Sequence, residues 1–557
     1  MKKEIFILVS SCLVLLSSCG ESSPTSSIDD GSNKIDLIIG TISKIERATR
    51  DEYNFDVLTA SVSQLPLIGQ NAADGTYYPQ LCDYEIISGD QIKFTVRDGM
   101  KWSDGVDVTA EDIKHTFDYL DKRTGSYFVD ILDDSNNIKT QKKFRSAEIL
   151  ENNRSILLNL QTNNVRAFAS LLDLRIQPKH IYENYMEIDD GYPSDEDSRI
   201  GCGPFAFKEF NKSSNSIKFE RNQYYPFNDN ENTDVNSLTY ILYGNEDVMN
   251  VDLSSGKIDL TWTYSNGTSV ESQKALSKFD NLSFYDYAKK GVSSTIVFNC
   301  SKFPGNDINF RNAVSYAIDY DRAKLNFGSE KSSNPNRSFV PTSTTGFVET
   351  TKLTKNLEKS KEFINKLGYE NINNDGFYEK DGNELTLNLS VNSENAAHVR
   401  YADFVKTCLA EAGIKVNIDG QSTNDFRIKT TNKFAKDAGF DAPTHEACIL
   451  GFTSAGMDMM DGLGSIYVNK NHEVQGVAQV SESNFENILK SMSSSENFDE
   501  YAKNAADLQY FYDEYLPVIA LFWDSNVNVY NNKYTNLVAD SLWGLNSLIN
   551  WMNIKVK

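Results

Sequence analysis

Seven cysteines stand at 12, 19, 82, 202, 300, 408 and 448. None forms a Cys-x-x-Cys pair, so neither a zinc ribbon nor a thioredoxin-type redox motif is supported. Five histidines (115, 180, 398, 445 and 472) are scattered. His445-Glu446 lacks the second histidine of a zinc-peptidase helix, and Gly451 to Gly456 has the wrong spacing for a nucleophile elbow. No GxxxxGK[ST] loop is present, and with 78 acidic residues carboxylate pairs carry no information. Met457, Met459 and Met460 could offer thioethers to Cu(I), but adaptable packing is the simpler use. Asn371, Asn373, Asp375 and Gly376 imitate positions 1, 3, 5 and 6 of a calcium loop, yet Gly382 stands at position 12 and the flanks read as strands. The expectation is therefore a protein with no catalytic residues, no metal and no cofactor.

The best-defined element spans 93–120. Phe94 and Val96 alternate as in a half-buried strand. Asp98-Gly99 and Asp104-Gly105 are turn dipeptides. Thr109 fits a helix N-cap, with Glu111 and Asp112 against the dipole and Val108 and Ile113 at staple positions. Ile113, Phe117 and Leu120 make an i, i+4, i+7 stripe. This strand, double turn and helix closely resembles the signature of the family 5 extracytoplasmic solute-binding proteins, the oligopeptide, dipeptide and nickel-type receptors of ABC importers.

Further segments carry the same resemblance from about Ile35 to Met552. Tyr78-Pro79-Gln80-Leu81 resembles a family hairpin, and Gly201-Cys202-Gly203-Pro204-Phe205 its Gly-Thr-Gly-Pro-Tyr turn. Arg221-Asn222-Gln223-Tyr224-Tyr225 is similar to the family's RNPxYW run, with Gln223 in place of Pro. Ser255 to Leu260 resembles SGEIDL, with Gly256 as a helix C′ residue. A single helix over 308–324 resembles the family's vRxAlxxAiDR segment, and Leu516 to Leu521 its PvxPl strand.

The N-terminus adds a compartment. Lys2-Lys3 precedes an apolar run of about a dozen residues, short of the ~20 that span a bilayer but right for a signal-peptide core. Leu16-Ser17-Ser18-Cys19 resembles a bacterial lipobox, which makes Cys19 the acylated mature N-terminus. Residues 21–33 read as a flexible tether. The leader removes two positive charges and one negative, taking the net charge from −23 to −24. That balance disfavours nucleic acid and anionic lipid surfaces as partners. Five thiols remain in the mature chain, so at least one has no partner within it.

The resemblance implies an α/β, periplasmic-binding-protein type II-like fold: two α/β lobes joined by a two-strand hinge, with an extra domain inserted in lobe I. The implied boundaries are 1–18 signal peptide, 19–33 tether, 34–76, 202–295 and 520–557 lobe I, 77–201 insert, and 296–519 lobe II. It implies a substrate-binding lipoprotein on the outer side of a membrane, in the periplasm or at the cell surface. As a monomer it would capture oligopeptides by hinge closure and deliver them to an ABC permease and its ATPase. The same fold could take a sugar or metal chelate, or serve as a surface receptor without transport.

In peptide-binding relatives an acid after a Gly-Trp strand end pairs with the peptide's α-ammonium. The similar stretch here is Gly451-Phe452-Thr453-Ser454-Ala455-Gly456-Met457-Asp458. Phe452 replaces the Trp and Ala455 stands where the Asp would be; Asp458 or Asp461 would serve if the loop shifts. Tyr53, at the end of the first cleft loop, and Trp262 complete the candidate contacts.

Overall fold

The computed structural model describes residues 34–42, 62–71, 76–124, 128–132, 138–142, 144–150, 152–160, 170–194, 196–227, 233–263, 267–288, 291–329, 331–344, 346–453, 462–541 and 543–557. Strand β1 (Ile35–Thr41) opens the chain, followed by the short pair β2 (Ile68–Gln70) and β3 (Tyr77–Pro79). Then comes a separate antiparallel unit: β4 (Cys82–Ser88), β5 (Gln91–Val96), helix α1 (Ala110–Thr124), the hairpin β6 (Phe128–Leu132) and β7 (Ile138–Lys142), β8 (Phe144–Ile149) and β9 (Ser155–Leu160). Four of these strands pair in the order β4-β5-β9-β8, and α1 packs on them. Local signals account for α1. Thr109 Oγ1 accepts from Glu111 N at 3.3 Å, Asp112 Oδ2 accepts from Thr109 N at 2.8 Å, and Val108 and Ile113 are buried beside it.

The chain then builds a larger sheet with β10 (Phe205–Asn211), β11 (Ser216–Arg221), β12 (Val235–Leu242), β13 (Leu260–Thr261) and β14 (Leu282–Ala288). The Gly201 turn enters it by close approach rather than by a special backbone angle: a Cβ there would lie 1.8 Å from the Ser63 carbonyl oxygen. After β14 comes a second large sheet, of β15 (Gly291–Phe298), β19 (Thr386–Asn392), β20 (Lys415–Gln421), β21 (Ala447–Thr453) and β22 (Val518–Ala520), in the order β20-β19-β21-β15-β22. Between β15 and β19 lie a three-stranded meander, β16 (Asn371–Ile372), β17 (Tyr378–Lys380) and β18 (Asn383–Glu384), and three helices, namely α2 (Ile308–Ala317), α3 (Tyr320–Phe327) and a third over Leu357–Lys366. The meander contains the stretch that imitates a calcium loop. Its Asn373 carboxamide oxygen accepts from the Asp375 and Phe377 amides, holding a turn.

The single helix expected over 308–324 is in fact two. Ile318 is extended at φ −69°, ψ 134°, and Asp319 caps a new helix by accepting from Arg322 N. A side-chain oxygen placed to satisfy an orphan amide favours restarting the helix over continuing it.

Lobe II also contains α4 (Ala396–Glu411), α5 (Ser483–Ser493) and α6 (Phe498–Tyr515), the last leading into β22. The chain returns to the first sheet as β23 (Ser525–Asn531), completing the order β10-β11-β12-β1-β13-β23-β14. Two α/β lobes are thus joined by two crossings, one between β14 and β15 and one between β22 and β23, with the antiparallel unit inserted in the first. The central strands of each large sheet are buried on both faces. Leu37 and Ile39 of β1 face one core and Ile38 another. Ile296 and Phe298 of β15 face one core and Val297 another. Burial on both faces explains why these strands read as continuous apolar runs.

Candidate functional site

Strand direction locates the site. β1 runs parallel to β12 and β13, so their carboxyl ends, Thr41, Leu242 and Thr261, share one edge. β23 is antiparallel to both β13 and β14, so β14 ends and β23 begins on that same edge, where the two crossings leave and return. In lobe II, Gly291, the first residue of β15, pairs with Thr453, the last of β21. β19 runs parallel to β20 and β21, and β22 is antiparallel to β15. Asn392, Gln421, Thr453 and Ala520 therefore all lie on the hinge edge of the second sheet. The carboxyl edges of both sheets meet at the hinge, and in open α/β sheets that edge is where ligands bind.

Of the residues singled out from sequence, Cys19, Tyr53, Ala455, Asp458 and Asp461 lie outside the described residues. The backbone of Thr453 ends β21 opposite Gly291. Gly451, two residues earlier, is pressed against lobe II's hinge strand: a Cβ there would lie 3.0 Å from the Ser293 carbonyl oxygen. Phe452 is only 1% exposed, its ring centroid 4.6 Å from that of Tyr467 and 6.0 Å from that of Phe339. Trp262 is also 1% exposed, and its indole N–H donates to the Trp543 carbonyl at 2.9 Å. Both rings are candidate ligand contacts from sequence; the structure packs each into a core, with the Trp262 donor already used. The cause is register. Phe452 shares a face with Val297 and Val518, which point into the lobe.

His445 was the histidine nearest the pocket strand in sequence. It lies at the amino end of β21, roughly 25 Å along the strand from Thr453. It is buried, and loss of solvation lowers its pKa to about 4. Among the described residues no group of three His, Cys, Asp or Glu side chains could hold a metal ion.

Side chains that the sequence reading missed lie on the hinge ribbon. Tyr285 pairs with Asn528 and Tyr287 with Asn526, so all four share one face of β14 and β23. The Tyr285 hydroxyl accepts from the Ala539 amide at 3.2 Å. Tyr287 is half-buried near the Asp540 carboxylate, and desolvation of its phenol first, then that charge, pushes it well above its usual range. Asp540 also accepts from the Tyr78 hydroxyl at 2.8 Å and the Gln70 amide at 3.3 Å, tying β2 and β3 to the C-terminal segment. The side-chain oxygens of Asn526 and Asn528 are buried and accept no hydrogen bond among the described residues. Buried carbonyls of this kind suit water or a ligand N–H donor. In the second crossing, Asp524 Oδ1 accepts from Ser332 Oγ at 3.0 Å, and Phe522 packs 6.1 Å from Tyr401 of α4. Burial and then the Asp524 charge push the Tyr401 phenol to about 12. The signal available in the sequence was the Tyr-x-Tyr and Asn-x-Asn alternation, which fixes a shared strand face but not which face meets the hinge.

Two lobes, a double crossing between them and ligand edges turned to the crossing define the class of two-lobed solute-binding proteins that close on a small molecule. The family model for "Bacterial extracellular solute-binding proteins, family 5 Middle" matches residues 76–472, and the chain belongs to that family. Its members are extracytoplasmic solute-binding proteins of ABC importers. Among sequence relatives, the oligopeptide-binding protein AppA of Bacillus subtilis (strain 168) is 25% identical over 341 residues. That match covers 58% of this chain and 56% of AppA, so the chain spans little more than half of that relative's length. Among solved structures, the periplasmic oligopeptide-binding protein of an oligopeptide ABC transporter from Thermotoga maritima superposes with TM-score 0.73 at 17% identity, covering 95% of this chain and 100% of that one. A second structure of it, with mannohexaose bound, gives 0.63 at 17% identity over 94% and 99%. NikA from Brucella suis in complex with Fe(III)-EDTA gives 0.74 at 16% identity over 94% and 100%. These establish the type II fold expected from the sequence. Among the described residues no helix is long and apolar enough to cross a membrane.

Proposed function

We propose that this chain is the capturing lipoprotein of an ABC importer, anchored through an acylated Cys19, taking oligopeptides into the interlobe cleft as a monomer and passing them to a permease and its ATPase. The observation that carries the reading is the pairing of Thr453 with Gly291, which ends the Gly451–Phe452–Thr453 strand at the hinge. An extended peptide there would bond main chain to main chain, so affinity would depend little on sequence, and hydrated side-chain pockets would tolerate variety. The name of the Bacillus relative supports peptides as the ligand class.

Ala455, in the position of the usual ammonium-binding acid, favours a second reading: a ligand without a free α-ammonium, whether blocked peptide, sugar or metal chelate. Neighbours that hold mannohexaose and Fe(III)-EDTA lend that reading weight. One titration separates the two. Intrinsic fluorescence is followed on adding free tri- to pentapeptides, their N-acetylated forms, mannohexaose, or chelated nickel. Oligopeptide capture predicts saturable binding of free peptides. If Asp458 or Asp461 pairs with the ammonium, the matching Asp→Asn change weakens free peptides but not acetylated ones. Binding confined to the sugar or chelate overturns the peptide reading. For the anchor, Cys19→Ser is expected to move the protein from the membrane to the soluble fraction, and a mature N-terminus other than residue 19 refutes it.

A further inference from the structure

The hinge is not the only place where lobe II meets the rest of the molecule. Phe498, the first residue of α6, packs against two cores at once, that of the inserted domain and one of lobe II. Its ring stacks on Tyr77 of β3, with centroids 5.5 Å apart and planes inclined by 27°. Beside this stack, β6 of the inserted hairpin runs against α5, the helix that precedes α6.

The position of this contact follows from the fold. α6 leads through Pro517 into β22, which ends on the hinge edge. A helix of 18 residues is about 27 Å long, and a seven-residue strand about 23 Å. Running back along its strand, α6 therefore brings its N-terminus to the same carboxyl edge that carries Asn392 and Thr453. Among the described residues the contact includes one ring stack and a strand against a helix, and interfaces between domains leave relative motion as the default unless they are large and apolar.

We infer that Tyr77 and Phe498, with the β6–α5 contact, form a clasp that holds lobe II against the inserted domain. The clasp, together with the hinge, sets the balance of open and closed protein and the rate at which a captured solute leaves. This rests on the proposed reading of the cleft as the ligand site. It follows that the inserted domain takes part in closure and is more than an ornament on lobe I. An offset aromatic pair of this kind is worth a few-fold to about tenfold in an equilibrium.

The test compares the parent protein with Tyr77→Ala, Phe498→Ala, the double variant and Phe498→Tyr, which keeps the stack. Small-angle X-ray scattering is recorded without ligand, and the off-rate of a bound tri- to pentapeptide is read by stopped-flow fluorescence. Each alanine variant is expected to have a larger radius of gyration and an off-rate raised by a few-fold to about tenfold. The double variant should be little worse than either single one, and Phe498→Tyr should match the parent. Tyr77→Ala lies outside lobe II and gives the same answer should Phe498→Ala fail to fold. Superposed scattering curves, or off-rates equal to the parent's, overturn the clasp. If the parent binds no peptide, the proposed ligand reading fails while the scattering still decides the clasp.

Discussion

The two lobes bring different materials to the same hinge. Lobe I supplies β14 and β23, a ribbon with one face carrying Tyr285, Tyr287, Asn526 and Asn528. Lobe II supplies β15 and β22, in which Val292, Ile296, Val297, Val518 and Ile519 are buried apolar residues. Near the crossing lobe I thus contributes paired tyrosines and asparagines, while lobe II contributes the short hydroxyls of Ser293, Ser294 and Thr295 at the start of β15 and, farther along its strands, an apolar backing in which Phe452 is one block. A rigid backing suits repeated closure, because packed interiors deform little. A polar ribbon with buried carbonyls suits a ligand or water that changes from one occupant to the next.

The sharpest way to break this comparison is to unfold the lobes separately. Trp262→Ala removes a fully buried indole from lobe I, and Phe452→Ala a buried ring from lobe II. Each is expected to cost about 3–5 kcal/mol. Denaturant curves followed by probes in each lobe should show the loss confined to the lobe that carries the change. A joint fall of both transitions would mean that the lobes unfold as one unit. Should Trp262→Phe abolish ligand binding at unchanged stability, the core assignment of that ring is wrong.

A smaller effect concerns pH and belongs to lobe II. His445 is buried and its pKa in the folded protein is about 4, below the ordinary 6.5. The unfolded chain binds the proton first on acidification, so this group's contribution is intact above pH 6.5 and is lost between about 6.5 and 4. The full span corresponds to about 3 kcal/mol, an upper bound for one site. His445→Asn should flatten the pH dependence of the lobe II transition over that window. An unchanged slope would show that the histidine is not held neutral by burial.

The smallest effect sharpens the polar side of the comparison. Tyr287→Phe deletes one buried hydroxyl on the ribbon and should change stability by about 1 kcal/mol. If the ribbon serves the ligand, the same change should alter peptide affinity more than it alters the lobe I transition. Equal shifts in both would assign Tyr287 to packing alone.

How much was readable in advance follows the range of the forces involved. The α1 cap, the staple and the β5 alternation need neighbours within a few residues and were legible. The break between α2 and α3 was missed because Asp319 serves two plausible local roles, helix interior or cap, and packing chose the second. Gly201 was legible as a turn glycine, whereas its close approach to Ser63 spans 138 positions of chain. Phe452 lies one residue from the end of β21 and Trp262 directly after β13, both at the hinge edge. Their facing was not readable, since alternation names two faces without saying which one the lobe covers.

By itself the sequence determined the family, through short runs such as Trp102-Ser103-Asp104-Gly105 and Ser255-Gly256-Lys257-Ile258-Asp259-Leu260, and with them the order of elements. Only the tertiary structure decided which strand ends meet at the hinge, which rings are spent on cores, and that Phe498 lies on Tyr77. The first are choices of backbone conformation settled over a few residues. The second depend on pairings such as Gly291 with Thr453, between segments too far apart along the chain for local preference to specify.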